Sequence, residues 1–292
     1  MTNSSGKLII TPTPLGNLGD MTPRALEALR ICDVVCCEDT RVTGRLLAAL
    51  GIEKRLERLD EALIGSQASR IITRVADGEV VAYCSDAGMP GVSDPGQRLI
   101  DMAYEQGVSV EVLPGPTALA TAYVASGFTA QSFYFGSFFP RKEGERIRVL
   151  ESLRLLDAVL IFYESPQRIA SALEVVADVF PHRRVAVCRE LTKVHEEVVR
   201  GAAPQVRDEF LSRASCGAIK GEIVLVVEAP TQQEALERQC EINGEATRCA
   251  RRLLAAGDRS KKDIVGHLQH EYGLSRNEAY DIVHAPSESV HS

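Results

Sequence analysis

Three short loops rich in glycine and proline carry the residue types that can bring backbone groups against a small ligand. They are TPLGNLGD at residues 13–20, SDAGMPGVSDPG at 85–96 and PGPTA at 114–118. Each follows an apolar run (8–10, 80–84 and 108–113) and each precedes a helical pattern. Gly88, Gly91 and Gly96 permit close backbone approach, and Pro90 and Pro95 stiffen the path between them. None of the loops reads GxGxxG or GxxxxGK[ST], which excludes the dinucleotide fingerprint and the P-loop. A single loop of this kind is more readily an ordinary crossover turn than a site. Three of them at the ends of apolar runs point to strand ends converging on one ligand, as open α/β sheets arrange their sites.

The elements that must position these loops alternate along the chain. Val80–Cys84 is a continuous apolar run bounded by turn residues, the pattern of a strand buried in a parallel sheet. Thr22 and Pro23 form an N-cap and first-turn pair ahead of a stripe of Ala25, Leu26 and Leu29. Residues 33–37 predict a second strand, 66–76 a helix, and 97–105 a helix stopped by Gly107. Thr117 opens a run of small and apolar residues that ends at Gly127. This half therefore predicts a largely parallel sheet with helices on both faces. GSFFPRKEG at 136–144 breaks the periodicity, after which 157–163, 184–188 and 223–227 predict the strands of a second, mixed sheet. Past Pro230 the composition turns to Gln, Glu and Arg, as in a linker, and 245–283 holds two or three short amphipathic helices. The expected domains are 1–135, 136–230 and a small helical appendage at 240–286.

Composition bounds the function. The 292 residues are 45% hydrophobic and 25% charged, ordinary for a soluble chain long enough for about two domains. No apolar stretch is long enough to span a membrane and no leader pattern opens the sequence, so a cytoplasmic location is expected. Eight cysteines without a CxxC or CxH cluster predict reduced thiols and no metal site. Aromatic residues make up only 5% and Trp is absent, which argues against a base-stacking platform. The net charge of −7 opposes nonspecific nucleic-acid binding but leaves room for a local basic face. Two such concentrations exist, Arg141, Lys142, Arg146 and Arg148, and a C-terminal set from Arg248 to Lys262. Either is a phosphate-binding surface or a solvated helix face.

Eight segments in order carry a resemblance: TPLGNLGD, EDTR, SDAGMPGVSDPG, PGPTAL, FPRKEGER, YESPQRI, RELTKVHEE and GEIVLVVE. Over residues 8–227 the chain resembles the tetrapyrrole-methylase superfamily, and more narrowly the ribosomal RNA small-subunit methyltransferase I family. The resemblance implies two α/β domains with S-adenosylmethionine in the cleft between them, a homodimer, and methyl transfer to a cytidine 2′-hydroxyl of 16S rRNA in the small ribosomal subunit. A tetrapyrrole C-methyltransferase of the uroporphyrinogen or precorrin kind is the alternative. Carried over by position, the cofactor residues would be Leu15, Gly16, Asp86, Gly88, Met89, Val92, Thr117, Ala118 and Tyr163. The chain departs from the pattern at Met89, Gly91 and Gln167. It also lacks the His- and Asn-bearing segment expected near Asp60 to Ala62.

A ribose hydroxyl is a poor nucleophile, so methyl transfer to it calls for positioning and for management of one proton. Glu164 and the charged run after the 184–188 strand offer Glu190 and Lys193 as catalytic candidates. The same residues are equally an ion-pair network, because charge beside a buried strand needs a partner. Arg141 and Lys142, in a loop between domains, together with Arg189, are the expected RNA-binding residues. His195, alone in an alternating segment, is expected to be an ordinary surface histidine.

Overall fold

The computed structural model describes residues 6–285 of the chain, which divides into two compact units, Met1–Ala229 and Pro230–Ser292. The first unit opens with five strands and five α-helices: β1 (Lys7–Ile10), α1 (Pro23–Ile31), β2 (Val34–Cys37), α2 (Thr40–Ala49), β3 (Leu56–Arg58), α3 (Glu61–Ala76), β4 (Val80–Cys84), α4 (Gly96–Glu105), β5 (Val110–Val112) and α5 (Ala118–Ser126). The five strands form one sheet in the order β3-β2-β4-β1-β5, and every pairing is parallel. Side chains on both faces of β2 and β4 are covered, with Val34, Cys36, Val81 and Tyr83 in one apolar cluster and Val35, Cys37, Ala82 and Cys84 in another. That double burial is why these strands are unbroken apolar runs. Thr22 caps α1 by accepting from the Ala25 N–H at 3.2 Å.

The helix expected from residue 66 begins five residues earlier, because Asp60 caps it by accepting from the Ala62 and Leu63 N–H groups. The segment that departs from the family pattern thus starts a helix, and Asp60 also pairs with Arg58. β3, at the sheet edge, has only three residues and only one partly buried leucine. It carries no apolar run by which a sequence could announce it.

The chain continues through β6 (Phe133–Phe138), α6 (Glu143–Ser152), β7 (Val159–Glu164), α7 (Ile169–Val179), β8 (Arg184–Arg189), β9 (Glu197–Ala202), α8 (Ala203–Cys216) and β10 (Ile223–Val227). The second sheet is mixed, in the order β6-β7-β10-β8-β9, with β6 parallel to β7 and the other pairs antiparallel. α6, α7 and α8 bury one face of it around Phe162, Phe180 and Phe210. The opposite face takes α5: Ala122, Leu119 and Tyr123 pack with Val159, Ile161, Ala186 and Val224. The helix after the third glycine loop therefore packs on the second sheet, although it precedes residue 135. PGPTA is where the chain crosses from one sheet to the other.

The second unit holds α9 (Gln232–Ala256), α10 (Lys261–Tyr272) and α11 (Arg276–His284) around Ala246, Ala250, Ile264, Leu268, Ala279 and Val283. The polar stretch past Pro230 is no linker. Thr231 and Glu234 form a capping box that starts a 25-residue helix there. No described helix is long and apolar enough to cross a membrane.

Candidate active site

The three glycine loops converge. Thr13 and Gly88 exchange both backbone hydrogen bonds, at 2.9 and 3.1 Å, and Thr13 Oγ1 donates to the Ser85 carbonyl at 3.2 Å. Gly88 sits at φ +83°, and a Cβ there would stand 3.1 Å from Leu15 and 3.4 Å from the Pro116 carbonyl. Gly115 brings the third loop onto the first, since a Cβ at that position would fall 2.3 Å from Pro12. Asp94 closes the second loop by accepting from the Gly91 N–H (2.8 and 2.9 Å) and the Gly96 N–H (2.9 Å).

Against these loops lies a cavity of about 420 Å³. Eight of the nine expected cofactor residues line it: Leu15, Asp86, Gly88, Met89, Val92, Thr117, Ala118 and Tyr163. The second sheet closes the other side with Phe138, Tyr163, Cys188, Leu191, Ile223 and Val224. Phe138 and Tyr163 meet edge to face at 5.6 Å. The wall includes five carboxylates, Glu38, Asp86, Asp94, Glu164 and Glu222, and neither lysine, arginine nor histidine.

Glu38 is the residue the sequence did not single out. It directly follows β2, which runs beside β4, and its Oε1 accepts from the Asp86 N–H at 3.2 Å. Burial first, then the negative charges of Asp94, Asp86 and Asp60, push its carboxyl up to about 7 against that single hydrogen bond. Burial also raises Asp86 and Asp94 above the ordinary aspartate value.

The expected catalytic residues are placed differently from one another. Glu164 lies on the wall but is buried and held as an ion-pair node. Arg146 reaches its Oε2 at 3.1 Å, while Arg168 Nε at 2.8 Å and the Ser165 N–H at 2.6 Å reach its Oε1. Arg146, counted with a surface basic cluster by sequence, is only 2% exposed and also donates to the Pro140 carbonyl and Ser171. Glu190 and Lys193 do not line the cavity. Glu190 accepts from Lys193 Nζ at 2.9 Å and from the Glu222 N–H at 2.9 Å, and the lysine bond holds its carboxyl below the usual range. Glu190 and Thr192 are both in the left-handed region, at φ +53° and +67°, and they flank Leu191 on the cavity wall. Arg189 is engaged with Glu197 at 2.6 Å and the Lys220 carbonyl at 3.2 Å. Arg141 and Lys142 are exposed at the start of α6, where Lys142 Nζ stands 3.4 Å from Glu145.

Gly16, the ninth expected cofactor residue, faces Lys193 instead of the cavity. A Cβ there would meet the lysine Cγ at 2.3 Å and its Cε at 2.8 Å. The Lys193 stem thus lies across the first glycine loop while its ammonium is held by Glu190 and Glu222. We expect Gly16→Val to push that stem aside and loosen the Leu191 wall. Calorimetric titration should show the ligand of this cavity bound roughly tenfold more weakly, about the effect of one displaced hydrogen bond to a charged group. Unchanged affinity would mean that the clasp does not shape the cavity.

Residues 7–207 match the family described as Tetrapyrrole (Corrin/Porphyrin) Methylases. A Ribosomal RNA small subunit methyltransferase I from Halalkalibacterium halodurans is 35% identical across 97% of this chain and 96% of that protein. The protein of the same name from a Hydrogenobaculum species is 44% identical over 79% of this chain and 100% of its own length. Among solved structures, a diphthine synthase superposes with a TM-score of 0.61 at 17% identity, over 79% of this chain and 93% of that one. That likeness is one of fold. Among the described residues, no group of three or more His, Cys, Asp or Glu side chains could hold a metal ion.

Proposed function

From the premise that this chain belongs to the tetrapyrrole methylase family, among the ribosomal RNA small-subunit methyltransferase I proteins, we propose that it transfers a methyl group from S-adenosylmethionine to a cytidine 2′-hydroxyl of 16S rRNA. The observation that carries the cofactor is the charge of the cavity. Five carboxylates line it; Arg146 and Arg168 compensate Glu164 and Lys193 compensates Glu222, which leaves Glu38, Asp86 and Asp94 facing it without an ion-pair partner among the described residues. A donor bearing a sulfonium and an ammonium suits that surface, because opposite charges attract strongly where water is partly excluded. Gly88, the Leu15 side chain and the Thr117–Ala118 pair offer backbone groups and an apolar floor to the neutral parts of the donor. Asp86 and Asp94 would hold its cationic parts. When bound, S-adenosylmethionine supplies an electrophilic methyl for in-line displacement, so the protein needs no covalent intermediate.

The remaining task is the hydroxyl proton. Glu38 fits it better than Glu164 or Glu190, whose oxygens are engaged by arginine or lysine. A carboxyl near 7 is half ionised at neutral pH, where a general base is most effective. An acidic wall repels a polycarboxylate macrocycle and an RNA backbone alike, so the preference for RNA rests on the likeness to the ribosomal RNA small subunit methyltransferase I relatives.

A second copy of the chain is part of this reading. α5 carries mostly apolar side chains, yet Val124 on it is 76% exposed, and Phe133 on edge strand β6 is 47% exposed. Apolar side chains exposed next to one another are the kind of surface that a second copy can cover.

The experiment is transfer of radiolabelled methyl with small ribosomal subunits, naked rRNA and uroporphyrinogen offered side by side. Label in RNA is expected. Label in the macrocycle alone would overturn the reading.

A further inference from the structure

The second unit carries a concentration of positive charge that the cavity does not use. Between residues 248 and 262 the chain has six cations, Arg248, Arg251, Arg252, Arg259, Lys261 and Lys262, and a single carboxylate, Asp258. All six side chains belong to exposed residues. They occupy the last turns of α9, the Gly257 turn and the first turn of α10, so they gather at one end of the helical unit. Arg248 and Arg252 are four residues apart on α9, and Arg248 and Arg251 three apart, spacings that place neighbours on one helix face.

These six share their lack of carboxylate partners with Arg141 and Arg148 among the described residues, whereas several other arginines of the first unit are paired. In the first unit Arg24 pairs with Glu111, Arg98 with Glu61 and Arg213 with Glu209, at 2.6–2.9 Å. None of the six has a carboxylate within ion-pairing distance among the described residues, and Arg252 reaches only the Cys249 sulfur at 3.8 Å. The acid nearest in sequence at the start of α10, Asp263, is committed to Ser260, whose Oγ and N–H it accepts at 2.6 and 3.3 Å. Six cations stand here against Asp258 and the Ser260-bound Asp263, and the excess positive charge repels itself, a cost that a polyanion relieves.

We infer that this end of the C-terminal helical unit binds the phosphodiester backbone of folded ribosomal RNA and holds the substrate while the cavity acts on one nucleotide. The inference rests on the rRNA reading above and adds a second contact to it. Four of the six cations are arginines, whose planar forks match phosphate oxygens. A contact of this kind carries affinity and register, not sequence choice. The family match ends at residue 207, before these helices begin, and the Hydrogenobaculum relative is matched over its whole length by 79% of this chain. The chemistry therefore belongs to the first unit, and the helical unit contributes to substrate holding.

The test compares the full chain with R251Q/R252Q/K261Q/K262Q, using naked 16S rRNA as the probe at salt concentrations from low to physiological. Each lost phosphate contact flattens the slope of log affinity against log salt by about 1. The variant should therefore show a slope shallower by about 3 to 4. Its KM for rRNA should rise tenfold or more, with kcat within about twofold and S-adenosylmethionine affinity unchanged. The retained kcat doubles as the control for folding. An unchanged slope and KM in a preparation whose wild type methylates rRNA would overturn this inference and leave the function standing. Weakened action on intact subunits with normal binding of naked rRNA would also overturn it, because the face would then contact a ribosomal protein. A wild-type chain that neither binds nor methylates rRNA would bring down the function itself and this contact with it.

Discussion

Replacing Glu38 by Gln is expected to lower kcat for methyl transfer by about 10²- to 10⁴-fold, the usual contribution of a positioned general base. Asp86 and the glycine loops are untouched in this variant, so the donor should still bind. The pH dependence gives the sharper signature. The base must be deprotonated to act, and burial with neighbouring acids places the free carboxyl at about 7. Activity measured as kcat/KM for the donor should therefore rise as pH increases through about 7 and then level off. A bound cationic donor stabilises the ionised carboxylate, so the limb in kcat should lie at lower pH than the limb in kcat/KM. Glu38→Gln should remove both limbs. A variant with full kcat and an unaltered pH profile would exclude Glu38 as proton acceptor and return attention to Glu222 at the cavity wall.

Glu164→Ala is expected to destabilise the first unit by about 3–5 kcal/mol, the cost of leaving a buried charge without its partner. Arg146 is the charge left behind, with its side chain 3% exposed and its guanidinium drawn below the usual value by burial. Arg168, with its side chain 26% exposed, can turn to water and contributes less. Urea denaturation followed by the fluorescence of the tyrosines should show the loss. Replacing both partners, as Arg146→Met with Glu164→Leu, should recover most of it, because a well-packed apolar pair of similar volume is often neutral. If Glu164 were instead the catalytic base, Glu164→Ala would unfold at the same urea concentration as the wild type and lose only rate.

The two cases mark where the sequence was legible. The glycine loops were readable because Gly88 at φ +83° and Gly91 at φ +88° are conformations that glycine adopts without strain. The strands β1, β2 and β4 were readable because both their faces are covered. β3, β6 and β9 were not, for they are edge strands with few buried side chains. Glu38 escaped notice because its role depends on β2 lying beside β4, a neighbour that follows it by more than forty residues. Arg146 was misplaced for the converse reason. Its cluster with Arg141 and Lys142 is a fact of spacing, and only the arrival of Glu164 from β7 and Ser171 from α7 draws it into the interior. The Gln, Glu and Arg of residues 232–241 have linker composition, and the Thr231–Glu234 capping box was the available signal that a helix starts there.

The acid-walled cavity is expected to direct a methyl group to a ribose oxygen of cytidine. The direct measurement is nucleoside analysis of 16S rRNA, labelled by the purified protein in small subunits from a strain lacking the enzyme. Label is expected to migrate as 2′-O-methylcytidine. Label on a base, or on a different nucleoside, would contradict it.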